Sequence, residues 1–197
     1  MSALTVDHST ADGHEWDGLV RIWQETDAPE GCKVEIIEGI VTVAPPPSNA
    51  HNDIADQVTR ELYQVIPRQW GIYQTLGTAV PSRDGLYIPD IAVAPKEVLR
   101  TGKDNCIPAS AAELIVEITS KSNAVNDRIK KAAGYAQSGA PLYLLIDGWA
   151  PGGPTITLYG EPQRDVYRVL RACKFGDAIE LPEPFRLKLD TSEFPAG

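Results

Sequence analysis

Asp90, Glu117 and Lys131 are the residues of this 197-residue chain whose types and settings point to chemistry. Asp90 stands inside the apolar run LYIPDIAVAP and Glu117 inside ELIVEITS, and Lys131 follows in NDRIKKAAGYAQSG beside Arg128 and Lys130. A carboxylate on an apolar strand loses hydration; without a partner it costs several kcal/mol or takes up a proton. Strand side chains alternate, so Leu114, Val116 and Ile118 share one face while Glu113, Ile115 and Glu117 share the other. Asp90 lies between Ile88 and Ala92, with Ile91 and Val93 on the more readily buried side. If the two strands are neighbours, the acids lie side by side, and at about 4 Å with an effective dielectric near 20 they repel by about 4 kcal/mol. A divalent cation between them reverses the sign, since Mg²⁺ takes one or two carboxylates plus phosphate and water oxygens. The same residues also admit structural ion pairs of Asp90 and Glu117 with Arg128 and Lys131, although such buried pairs contribute little net stability.

The elements that must hold these groups are legible as patterns. HEWDGLVRIWQET spaces Trp16, Leu19, Val20 and Trp23 as one face of an amphipathic helix. CKVEIIEGIVTVAP is two β-rich runs about Glu38-Gly39, a hairpin whose first strand sends Glu35 and Glu38 to opposite faces, one toward the site and one to solvent. Three prolines in PPPSNAH stop that strand, and Ser48 or Asn49 caps a helix striped by Ile54, Val58, Leu62 and Val65. His51 falls in its first turn. GIYQTLGTAV and LYIPDIAVAP are expected as two strands joined across PSRDG. Pro89 has no N–H to give, so it marks an edge, bulge or strand start that turns Asp90 toward a cleft. The polar stretch from Lys96 to Ser110 is expected as a mobile connection near the mouth of the site.

In the helix that follows, Asp127 and Lys131 are four apart, expected as a surface pair worth a few tenths of a kcal/mol. Lys131 and Tyr135 share a face, Lys130 points about 100° away, and Ile129, Ala132, Ala133 and Ala136 supply a packing stripe. Gly139 suits the position just past the helix end. PLYLLIDGW is the nearly continuous apolar strand of a sheet covered on both faces, and residues 155–189 alternate as a β extension.

Composition bounds the function. Hydrophobic residues make up 43% and charged residues 23%, ordinary values for a globular domain, and no apolar run approaches the roughly 20 residues needed to span a bilayer. The expectation is a protein without a membrane partner, in the cytoplasm. Cys32, Cys106 and Cys173 show neither C-x-x-C nor zinc spacing, which fits reduced thiols there. The net charge of −9 argues against nucleic acid only until it is located: residues 1–61 carry 12 acids and 3 bases, and the rest carries 15 of each. Between Lys121 and Lys131 four bases face one acid, a local patch able to meet phosphates or simply to be solvated.

Six ordered pieces, EIIEG, PPPSNAH, IPDIAV, LIVEITS, DRIKKAAGY and LYLLID, run from about Lys33 to Asp147. In kind and order they resemble the PD-(D/E)XK nuclease superfamily, and within it the Uma-two branch of restriction-endonuclease-like bacterial proteins. The resemblance departs at Thr119, which stands where the superfamily motif has lysine, so that role passes to Lys131. It departs again at the hairpin, where Glu38 replaces the usual aspartate and Ile40 the second acid. What it implies is an α/β (α+β mixed-sheet) fold: a restriction-endonuclease-like core over about 33–147, an N-terminal hairpin and a C-terminal β extension over 155–189. Residues 15–197 would form one domain behind a flexible tail over 1–14. It further implies a Mg²⁺-dependent endonuclease, with Mn²⁺ as substitute, acting on nucleic acid and most simply DNA. Asp90 and Glu117 would hold metal, joined by a backbone carbonyl near Ile118; Lys131 would complete the catalytic set, supported by Glu35, His51 and Arg128. A homodimer would offer two sites to two strands. The alternative function is a nuclease fold used as a binding or assembly module, which the missing lysine at Thr119 and the acidic N-terminal third favour.

Overall fold

The computed structural model describes residues 13–101 and 105–195. The expected tail through residue 12 lies outside the described residues, while Gly13 and His14 belong to the first helix, α1 (Gly13–Glu25). Its Trp23 indole donates to the carbonyl of Val34 at 2.6 Å, tying the helix to the hairpin of β1 (Lys33–Ile37) and β2 (Ile40–Ala44). The hairpin turns at Glu38-Gly39, both with positive φ, the conformation a two-residue turn between twisted strands requires. Ser48 caps α2 (Asn49–Val65), its hydroxyl accepting from the N–H of His51 at 3.2 Å.

The expected pair of strands around PSRDG is four. β3 (Trp70–Tyr73) is separate from β4 (Gly77–Val80), and β5 (Gly85–Tyr87) from β6 (Ile91–Pro95). The second break falls at Ile88-Pro89-Asp90, where the chain leaves one sheet for another. β5 lies in a five-stranded sheet ordered β2-β1-β5-β4-β7, and β6 in a six-stranded sheet ordered β11-β10-β9-β8-β6-β3. Pro89 cannot donate to a ladder, so the apolar run is cut there and Asp90 sits at the entrance of β6. The stretch expected to be a mobile connection instead forms α3 (Lys96–Thr101) and β7 (Cys106–Pro108), and β7 pairs in parallel with β4. None of its described residues lines the cavity described below.

β8 (Leu114–Ile118) runs antiparallel to β6, with Ile91 opposite Val116, so positions 90 and 117 continue the register as opposed neighbours. Parallel to β8 lies β9 (Leu142–Asp147), followed by β10 (Thr155–Gln163) and β11 (Val166–Lys174), which widen the same sheet. β12 (Ile179–Leu181) and β13 (Leu187–Leu189) make a small ladder of their own. The two faces of the six-stranded sheet bury different things. Ile91, Val93, Leu114, Val116 and Ile118 pack against Ile54, Val58 and Leu62 of α2 and against the β12–β13 ladder. On the other side Ala94, Ile115, Tyr143 and Leu145 meet Tyr135 and, from the second sheet, Ile37, Val80 and Tyr87.

The segment after β8 begins with a π-turn (Asn126–Lys131) and continues as α4 (Ala132–Ser138). α4 approaches β5 closely because residue 134 is glycine: a Cβ there would stand 2.5 Å from the Tyr87 hydroxyl. Gly139 ends the helix at φ +82, its N–H bonding back to Ala136. Ile129 does not join the packing stripe; it is 63% exposed. In the π-turn Ile129 faces outward, while Asp127 and Lys131 share the buried face. No described helix is long and apolar enough to cross a membrane.

Candidate active site

Four carboxylates meet where the two sheets and α4 converge: Glu35 from β1, Asp90 at the entrance of β6, Glu117 from β8 and Asp127 from the π-turn, all buried. Lys131, 1% exposed, reaches three of them, with Nζ 2.8 Å from Glu35 Oε1, 3.2 Å from Glu117 Oε1 and 3.4 Å from Asp127 Oδ1. Tyr135, one turn on, donates its hydroxyl to Glu117 Oε1 at 2.8 Å. Glu35 also accepts from the N–H of Ile88 at 2.7 Å, fastening the hairpin to the segment that carries Asp90. Asp90 is held differently. Its Oδ2 accepts from the N–H of Ile118 at 2.7 Å and lies 3.0 Å from His51 Nε2, and its Oδ1 accepts from Lys33 Nζ.

The two sequence-predicted acids therefore have opposite electrostatic surroundings. Burial pushes the Asp90 carboxyl up, but the His51 hydrogen bond and the Lys33 charge overcome it and hold Asp90 well below the usual carboxylate range. For Glu117 burial dominates: with Asp127, Asp90 and Glu35 adding like charge, it prevails over the attraction of Lys131 and raises the acid well above its ordinary value. Asp127 is pushed up to about 6, by burial first and then by the charges of Asp90 and Glu35. Burial alone would strip the proton from Lys131, yet Glu117, Glu35 and Asp127 together raise it well above an ordinary lysine. The amine is a fixed ammonium.

Lys33, Glu35, His51, Asp90, Glu117, Asp127 and Lys131 line a cavity of about 460 Å³, together with Pro45–Pro47 from the loop before α2, Ser120–Asn123 from the loop after β8, and Trp149. Of the predicted residues, Asp90, Glu117, Lys131, Glu35 and His51 are brought together there. Arg128 is not. Its guanidinium turns to Asp147, with Nε 2.7 Å from Oδ2 and Nη2 2.8 Å from Oδ1, because the π-turn sends positions 128 and 131 in different directions. Asp147 is also bonded by Thr119, the residue standing where the superfamily has lysine, so that position is filled by a structural contact. Lys130 goes to Glu38 at 3.2 Å and braces the hairpin turn. Asp127 and Lys131, expected as a surface pair, are both buried.

Lys33, Asp127 and Tyr135 are site residues that pattern reasoning did not single out. Lys33 was within reach of it, since positions 33 and 35 of a strand share a face.

Charge chemistry suits a divalent cation. Four carboxylates face two lysine ammonium groups, a formal surplus of two negative charges, and the only polar contact of buried Asp127 Oδ1 among the described residues is the long ion pair to Lys131 at 3.4 Å. No group of three or more His, Cys, Asp or Glu side chains among the described residues is arranged to hold a metal ion. A Mg²⁺ site needs no such trio, because one or two carboxylates with phosphate and water oxygens suffice.

The family model described as "Uma2: Putative restriction endonuclease" matches residues 20–192. The chain belongs to this family. Among solved structures it is similar to the crystal structure of "a putative nuclease belonging to DUF820" from Anabaena variabilis, at 20% identity and a TM-score of 0.61, covering 87% of this chain and 90% of that one. That likeness bears out the restriction-endonuclease-like α/β fold. No curated protein matches. Membership in the Uma2 family makes a nuclease activity, and with it a nucleic-acid substrate, the coarse description of this protein.

Proposed function

We propose that the protein is a metal-dependent endonuclease that hydrolyses phosphodiester bonds, most simply in DNA. The observation that carries this is the convergence of Asp90, Glu117 and Lys131, from two adjacent strands and the following helix, on one cavity whose carboxylates exceed its ammonium groups. Asp90 and Glu117 would hold Mg²⁺, with the backbone at Ile118 beside them. A bound Mg²⁺ supplies Lewis acidity, lowering the pKa of water and neutralising charge that develops on the phosphate.

The chain's own groups do the rest. Lys131 keeps its proton, so it acts as a positive charge fixed before the reaction begins, the kind of preorganised group that stabilises extra negative charge at a phosphate. Glu35 and Asp127 hold that ammonium in place, and Tyr135 orients the Glu117 carboxylate. Lys33 and His51 keep Asp90 ionised and aimed. Nicking of supercoiled plasmid with Mg²⁺ or Mn²⁺ tests the proposal. Wild type should nick, chelation should stop it, and Asp90→Asn and Glu117→Gln should each slow it by at least about 1000-fold. Equal nicking by all three proteins would reject it.

The second function, a binding or assembly module, draws on the ion pairing of Lys131 with three acids, which alone satisfies part of the site without metal. A protein that binds nucleic acid but never nicks it, at any divalent cation tried, would be that module.

A further inference from the structure

We propose that the indole of Trp149 is a stacking platform for an unpaired nucleobase, so that this protein takes its scissile phosphodiester from single-stranded or locally opened nucleic acid. The inference rests on the nuclease function proposed above and names its substrate class. Trp149 stands two residues beyond the end of β9, in the lining of the cavity, and is the one Trp, Tyr or Phe among the described cavity-lining residues. The residue is 41% exposed, whereas Trp16, Trp23 and Trp70 are half-buried.

A single exposed apolar ring needs no explanation in itself. This one has its backbone pinned on both sides: its N–H donates to Asp147 Oδ1 at 3.1 Å and its carbonyl accepts from Arg128 Nη2 at 2.7 Å. The Arg128–Asp147 pair thus fixes the backbone of a side chain that it leaves uncovered. Lys121 Nζ stands over one face of the ring, 5.8 Å from its centroid, so a stacked base would take the other face or displace the ammonium, which then remains free to meet a phosphate.

The depth of the acids decides between paired and unpaired substrates. Asp90, Glu117 and Lys131 are almost wholly covered, and the way to them is a cavity of a size that accepts one small molecule or nucleotide. Duplex DNA is stiff and carries its phosphates on a convex surface, so a paired segment reaches these buried groups only by bending, at a cost in deformation energy. A strand with a base turned out of the stack avoids that cost, and the cost of unstacking is recovered on an aromatic face.

Binding without turnover is the test. Fluorescence anisotropy of labelled dT12 and of a 12-base-pair hairpin duplex, with Ca²⁺ replacing Mg²⁺, is compared for wild type, Trp149→Phe and Trp149→Ala. Wild type should bind dT12 at least about 10-fold tighter than the duplex. Trp149→Ala should lose about 10-fold on dT12, within the roughly 5- to 150-fold that stacking contributes per base, and less than 2-fold on the duplex. Trp149→Phe should keep most of the preference. An alanine variant within 2-fold of wild type on dT12, a wild type that prefers the duplex, or a wild type that binds neither overturns the inference. Failure of the parent function looks different: dT12 bound through Trp149 with no plasmid nicked removes the nuclease and leaves the platform, whereas nicking with an indifferent Trp149→Ala does the reverse.

Discussion

Asp90 and Glu117 are the same kind of group in adjacent registers of one sheet, yet their neighbours give them opposite stability behaviour. Asp90 has its folded-state pKa depressed, so its contribution is present above the unfolded value near 4 and is lost as pH falls through the folded value. Glu117 has its pKa raised, so its contribution is present below the unfolded value and is lost as pH rises through the folded one. In metal-free protein at pH 7, Asp90→Asn should therefore cost about 1–3 kcal/mol, since it weakens the pairing of a buried carboxylate with the half-buried Lys33 and His51. Glu117→Gln should be neutral or stabilising. Urea unfolding of both variants with chelator measures this, and a Glu117→Gln variant as damaged as Asp90→Asn would contradict the assignment. Lys131 is the group the cluster cannot lose: Lys131→Ala leaves Glu35, Glu117 and Asp127 buried without a cation and should cost about 3–5 kcal/mol in the same assay.

Among the elements, the π-turn before α4 decides which side chains reach the site. It turns Asp127 and Lys131 inward, Ile129 outward and Arg128 toward β9, where Asp147 anchors it. Burial pushes Asp147 up, but the hydrogen bonds from Arg128, Thr119 and the Trp149 N–H hold it below the usual carboxylate value. Its contribution is therefore present above about pH 4 and disappears as pH falls through the folded pKa. Wild type should be more stable than Asp147→Asn at pH 7, and the gap should narrow as pH falls below about 4; urea titrations across that range check it, and a gap independent of pH would contradict the anchor.

The same element shows where the sequence stopped being informative. The opposition of Asp90 and Glu117 was legible because two apolar runs each placed one acid at a known parity. Glu35 was legible as one of two choices on a strand, and the Ser48 cap as a residue type before an apolar stripe. Nothing in the residue types of NDRIKK marks a π-turn in place of an α-helical one, so Arg128 was expected at the site and Ile129 in the core. The cut at Pro89 was anticipated as a disruption, yet an unbroken apolar run gives no sign that its halves enter different sheets.

At the scale of the molecule, the site is assembled from both sheets: Lys33 and Glu35 from one, Asp90 and Glu117 from the other, with α4 wedged across the seam by Gly134. Its acid surplus is a consequence of that assembly and not of composition, since among the described residues before position 62 Glu35 is the one acid that lines the cavity. Whether the surplus takes a divalent cation is measured most directly by isothermal titration of Mn²⁺ into wild type and Glu117→Gln at pH 7. Wild type should bind one or two ions saturably, and Glu117→Gln should bind at least about 10-fold more weakly. Equal binding by the two proteins, or no heat from wild type, would contradict a metal site at Asp90 and Glu117.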